Sequence, residues 1–161
     1  MVVLLPIRTL GLAVCFALIF TGCSDSGIDR TVVASSQFPT AIDPSGVGTY
    51  PALTKSGAGY FYDDVLEYRV WVHPKGGGDD HFAAFASYEP ALAYAQNTEG
   101  AEQPLVLVRQ KQWINEPEPG KFEVRSDERI TEWHVGWLLE STKRTENSID
   151  QFMRQMGKAA N

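Results

Sequence analysis

Beyond position 23 the chain has no cysteine, since its two are Cys15 and Cys23. The rest of the polypeptide therefore carries no disulfide framework and no thiol nucleophile. Basic charge is also scarce, with 14 Lys and Arg against 20 Asp and Glu, and removing residues 1–22 takes away Arg8 but no carboxylate. So acidic a chain lacks the clustered cations that nucleic acid requires, and charge alone will not draw it to anionic lipid. The apolar run at residues 10–20 is well short of the roughly 20 positions that a membrane-spanning helix needs, and Pro6 and Arg8 block its extension upstream. No internal repeat is present. At 161 residues and 43% hydrophobic, the chain is long enough for one core and too short for two.

What is there begins with a secretory layout: a short basic region ending at Arg8, the apolar run, then the small residues that a peptidase accepts. Phe20-Thr21-Gly22-Cys23 resembles the bacterial lipobox, with Phe where Leu is commoner. That resemblance implies removal of residues 1–22, diacylation of the Cys23 sulfur and acylation of its new amine. Two or more chains are needed for stable anchoring, each contributing about 0.8 kcal/mol per buried methylene. Ser24 stands where lipoproteins retained at the inner membrane carry Asp, so the resemblance implies the periplasmic face of the outer membrane.

Residues 23–59 are expected to form the lipidated cysteine and a flexible tether. Half of the 36 positions from 24 to 59 are Gly, Ser, Pro or Thr, and no periodicity is sustained. All four Trp fall between 60 and 140, where the domain should lie. Residues 66–73 alternate as a half-buried strand, with Tyr68, Val70 and Val72 on one face and Glu67, Arg69 and Trp71 on the other. A glycine loop leads to a second strand from His81. Ser87 is placed to cap a helix with Pro90 in its first turn. Residues 105–114 read as a third strand, stopped by Glu116-Pro117-Glu118-Pro119-Gly120. A short strand around Phe122 follows, then an alternating strand over 129–138. In residues 141–161, Ser148 with Gln151 makes a capping box, and Ile149, Phe152, Met153 and Met156 form a helical stripe expected to pack back onto the domain. The fold class is α+β: a small, mainly antiparallel sheet with one packed helix and a C-terminal amphipathic helix.

The densest polar cluster runs from His73 to His81. His73, Asp79, Asp80 and His81, joined by His134 if the last strand lies beside the first, can ligate a divalent metal, because imidazole and carboxylate suit zinc and similar ions. No His-Glu-x-x-His spacing accompanies them, and a solvated glycine hairpin explains the same residues. Gly76, Gly77 and Gly78 can cradle a phosphate, although two adjacent carboxylates oppose it. Glu132 and His134 share a strand face at about 7 Å and can act as acid and base or simply as a polar sheet contact. The tryptophans serve first as core; an exposed Trp face can bind sugar.

The segment 68–137 resembles a small bacterial family with a His-Pro-x-Gly-Gly-Gly-Asp-Asp loop, a Gly-Ala-Glu-x-Pro-Leu-Val-Leu-Val strand and a Glu-Arg-Ile-Thr-Glu-Trp strand. They stand here at 73–80, 100–108 and 128–133. Members carry the label of GNAT-type N-acetyltransferases, so the resemblance implies acyl transfer with acetyl-CoA as cofactor. No strand-to-helix junction here carries that enzyme class's Arg/Gln-x-x-Gly-x-Gly/Ala turn, so no catalytic or cofactor-binding residue transfers. The residues themselves point first to a lipid-anchored periplasmic protein with a non-catalytic domain that binds a protein partner or serves the envelope, with no resident cofactor.

Overall fold

The computed structural model describes residues 37–51 and 59–159. The signal segment, Cys23 and the lipobox lie outside the described residues.

The centre is a four-stranded antiparallel sheet in the order β3-β2-β4-β7, built from β2 (Asp64–Val72), β3 (His81–Phe85), β4 (Leu105–Gln110) and β7 (Arg129–His134). The α+β class expected from the sequence is the class observed. Tyr68 stands opposite Phe85 on one side and Val106 on the other, and Val106 opposite Trp133. This register gathers Tyr68, Val70, Val106, Val108 and Trp133 on one face. Strict alternation would send Val65 to the opposite face. A bulge between Val65 and Glu67 corrects this and brings Val65 into the same core.

Helix α1 (Tyr88–Asn97) covers this face, burying Ala91 completely and setting Tyr94 against Phe85 with ring centres 5.3 Å apart. Ser87 holds the extended backbone of an N-cap, as expected, but its hydroxyl makes no capping bond. The approach of α1 to β4 requires Gly100. Its φ is +80°, and a Cβ there would lie 2.3 Å from the carbonyl oxygen of His73.

Several expectations are corrected. The strand expected over 105–114 stops at Gln110. A second strand, β5 (Trp113–Glu118), runs through Glu116-Pro117-Glu118 and pairs with β6 (Lys121–Arg125) as a separate hairpin. The register shifts between Asn115 and Glu118, so Pro117 sits where no ladder N–H is required. Only Pro119 and Gly120 make the turn. The strand over 129–138 ends at His134, and Trp137 opens a four-residue helix, α2 (Trp137–Glu140). Strand β2, read as half-buried, is buried on both faces: Glu67 and Arg69 are as inaccessible as Tyr68 and Val70.

The cover over that second face is the largest departure. Residues 38–50 belong to the expected tether, yet they form a strap that clips both faces of the sheet. Phe38 packs against Tyr88 at 4.7 Å and Ala41 is buried. The Ala41 and Ile42 amides donate to the carbonyls of Ala86 and Val65 at 2.7 and 2.8 Å. After a 3-10 turn at Pro44–Gly46, started by the Asp43 carboxylate accepting from the Ser45 amide, the chain reaches Gly48 and Tyr50 on the far face. Proline and glycine shape the strap locally, while sheet contacts hold it.

A second, smaller core joins the chain's distant parts. Strand β1 (Phe61–Tyr62) pairs in parallel with β8 (Thr142–Lys143). Phe61, Ile114 and Ile149 are buried together, with Phe122, Phe152 and Met153 around them. Helix α3 (Ser148–Ala159) thus docks through the stripe anticipated for it. The capping box does not: Ser148 lies inside the helix, and its hydroxyl accepts from the Thr145 amide at 2.9 Å.

Candidate functional site

Two polar centres stand out, one exposed and one buried. The exposed centre is the loop from β2 to β3. The His73 amide donates to Gly100 O at 2.9 Å and the Glu102 amide to Trp71 O at 2.8 Å, which brings Glu102 beside the His73 ring. His73 Nδ1 lies 2.9 Å from Asp80 Oδ1 and Nε2 lies 3.3 Å from Glu102 Oε1. Both carboxylates can accept from the ring only while it carries a proton on each nitrogen. The bond to Asp80, then that to Glu102, accordingly raises the His73 pKa above its ordinary value.

The candidate metal ligands lie at the β2–β3 hairpin and on β7. The His73 ring nitrogens point in divergent directions, each toward its own carboxylate. His81 Nδ1 faces the Asp79 backbone carbonyl at 3.3 Å. His134 sits on β7, separated from β2 by β4, against Trp137 at 5.2 Å; the last strand does not lie beside the first. Among the described residues, no group of three or more His, Cys, Asp or Glu is arranged to hold a metal ion. The phosphate cradle also loses a donor, since the Gly77 amide is used in a turn to Pro74 O at 3.2 Å. Lys75 pairs with Glu99 at 3.1 Å.

The two ion pairs make His73 a pH-dependent latch between the β2–β3 loop and Glu102. Because its folded-state pKa is raised, the stabilisation is fully present below about pH 6.5 and is lost as pH rises through the raised value. In an NMR titration of ring protons, Asp80→Asn is expected to lower the His73 midpoint more than Glu102→Gln does. A midpoint that moves in neither variant would remove the latch.

The buried centre was not foreseen. Arg69 Nε donates to Glu67 at 2.5 Å, Nη1 to Glu132 at 2.8 Å and Nη2 to the Tyr50 carbonyl at 3.1 Å, while the guanidinium lies 4.4 Å above the Phe82 ring. The second Glu67 oxygen accepts from the Gly48 amide at 2.6 Å. All three charged side chains are essentially inaccessible. The one available sign was a pair of charges, Glu67 and Arg69, alternating inside an apolar strand. Glu132 and His134, read as an acid-base pair, are therefore not joined: the first is held by Arg69, and the second is exposed beside Trp137.

Around the sheet's other end, charge is again absorbed by structure. Asp63 accepts Arg144 through Nε and Nη2 at 3.0 and 2.6 Å and the Lys111 amide at 2.6 Å. Arg109 grips Asp64, and Arg129 stacks on Trp113 at 3.6 Å while donating to Gln110 at 2.6 Å. Burial lowers the Arg129 pKa. Burial first, and then Glu116, pushes the Tyr60 hydroxyl up to about 12. Of the four tryptophans only Trp133 is fully buried. A shallow groove of about 190 Å³ lies between the β5–β6 turn and α3, lined by Phe122, Met153 and Met156.

For acetyl-CoA, the spacing Arg-x-x-Gly-x-Ala does occur at Arg154, Gly157 and Ala159, but inside α3. Interior helix amides are spent on i to i−4 bonds, so these residues form no pyrophosphate cradle. No protein-family model, no curated protein and no solved structure matches this chain.

Proposed function

We propose that this chain is a lipid-anchored protein of the bacterial cell envelope, held at Cys23 on the periplasmic face of the outer membrane, whose α+β domain binds a partner rather than catalysing a reaction. The observation that carries this is the apolar run ending in Thr21-Gly22-Cys23, with no later cysteine. A thioether at Cys23 leaves an exported chain without a free thiol. Two features of the domain support the non-catalytic part. The imidazole nitrogens of His73 are both directed at carboxylates, and Glu132 is bonded to Arg69, so both of these acid-base candidates are engaged in contacts that hold the fold.

The test is the intact mass of the product taken from its native membrane. Loss of residues 1–22 with the added mass of a diacylglycerol and an amide-linked acyl chain is expected. Cys23→Ser should abolish that mass and move the protein out of the membrane fraction. A water-soluble product inside the cell that retains residues 1–22 would overturn the anchor. Calorimetry with acetyl-CoA is expected to show no binding heat, and micromolar affinity would overturn the non-catalytic reading.

A further inference from the structure

Beyond position 23 the chain holds two sulfur atoms, those of Met153 and Met156, since its third methionine is Met1. Both lie in one place. They are three residues apart on α3 and, with Gly120, Phe122 and Gly157, line the groove of about 190 Å³ between that helix and the β5–β6 turn. A Cβ at Gly120 or at Gly157 would meet nothing within 4 Å, and both methionines are half-buried. A molecule the size of water or hydrogen peroxide enters such a space readily. The same two side chains hold the helix. Met153 packs on the buried cluster of Phe61, Ile114 and Ile149, and Met156 continues the apolar stripe about one turn further. A helix of 12 residues is marginal alone, so α3 stays in place through that stripe.

We propose that Met153 and Met156 are a redox modification site, and that oxidation of both to the sulfoxide by a peroxide releases α3 from the domain. In the step, a sulfur lone pair attacks one peroxide oxygen, and the S–O bond forms as the O–O bond breaks. The proton of the transferred hydroxyl passes to the departing hydroxide to give water. Sulfur loses two electrons and the peroxide gains them. A polar, hydrogen-bond-accepting group then stands where a flexible apolar one stood. Its oxygen finds no side-chain donor in the groove, whose lining is glycine, phenylalanine and methionine. The Gly120 amide is already given to Glu116 at 2.8 Å, and amides inside α3 are used along the helix. A polar group buried without a partner is costly, so each sulfoxide favours the state in which this helix face reaches water. The central sheet takes no part. Among the described residues its core contains no sulfur, and the domain is clasped by Ser141 on Gly59 and Arg144 on Asp63, before α3 begins. The oxidised protein therefore keeps its main fold and uncovers Phe61, Phe122 and Phe152. Two reductases, one for each sulfoxide epimer, reverse the change.

The experiment uses the protein purified from its native host, treated with hydrogen peroxide and then with methionine sulfoxide reductases of both types. Trypsin separates the two sites, because cleavage after Arg144, Arg154 and Lys158 leaves Met153 in residues 145–154 and Met156 in residues 155–158. Each peptide should gain one oxygen. Amide exchange over residues 149–156 should quicken by about tenfold or more while β4 keeps its protection, and the reductases should restore the slow rate. The double variant Met153→Leu/Met156→Leu, which conserves volume, should exchange like the untreated protein with or without peroxide. The proposal is overturned if both peptides carry oxygen and α3 stays protected, if β4 opens to the same extent, or if the leucine variant loses protection equally. It is overturned too if the two sulfurs resist peroxide that oxidises free methionine. The readout concerns residues 145–158 and β4 alone, so it stands whether or not Cys23 carries lipid.

Discussion

Replacing Arg69 with methionine is expected to lower folding stability by about 3–5 kcal/mol, the usual loss when one partner of a buried ion pair is removed. Two carboxylates, Glu67 and Glu132, would then remain inside the protein without the guanidinium that both of them face. The Tyr50 carbonyl would lose its donor as well. Equilibrium urea unfolding, read by tryptophan fluorescence, measures the change. Arg69→Lys should rescue little, because one ammonium cannot reproduce three divergent N–H directions. Adding Glu67→Gln and Glu132→Leu to Arg69→Met should recover much of the loss: the buried charges are gone, and glutamine still accepts from Gly48. A loss below about 1 kcal/mol for Arg69→Met would mean that water reaches the triad and that the strap does not seal it.

Trp133→Ala should have an effect of similar size, about 3–5 kcal/mol, for a different reason: it empties a large, fully buried site. The indole packs edge-on against Tyr62 and Trp137 and fills the space next to Gly59, where a Cβ would lie 1.7 Å from its ring. Among the described residues its buried Nε1 has no hydrogen-bond partner, so the N–H weakens the fold. Trp133→Phe removes that unsatisfied donor while keeping an aromatic ring, and is expected to cost less than half of the alanine change. Gly59→Ala should destabilise with Trp133 present and be close to neutral in Trp133→Ala, a coupling that a double-mutant cycle reads directly. Equal costs for phenylalanine and alanine would show that the indole N–H has an acceptor after all.

The parts of the fold legible in the residues were those with local causes. The β2–β3 hairpin announces itself through alternation broken by three glycines, and α1 through Ser87 and Pro90. The apolar spacing of α3 was legible too, because a period of 3.6 records which face is buried. What was hidden depended on a partner far away in sequence. Nothing near Glu67 or Arg69 says whether water or a strap lies above them. The strap itself is rich in Gly, Ser, Pro and Thr, and its contacts come from Ala86, Val65 and Arg69 rather than from any repeat of its own. Pro117 argues against a strand only if every N–H must pair, and the shifted register of β5 and β6 removes that requirement. The candidate site was half legible. The cluster around His73 was picked out by residue type, but its actual partner Glu102 arrives from the far end of α1, delivered by Gly100.

The clasp between the beginning and the end of the domain governs when the fold can be completed. Ser141 bonds to Gly59 across 82 positions and Arg144 to Asp63 across 81. Emerging from a ribosome at about 5–20 residues per second, residues 59–63 wait roughly 4–16 s for those mates. Throughout that interval Phe61 and its neighbours stay uncovered. A nascent chain that cannot close prematurely offers that apolar surface to chaperones until residue 144 has emerged.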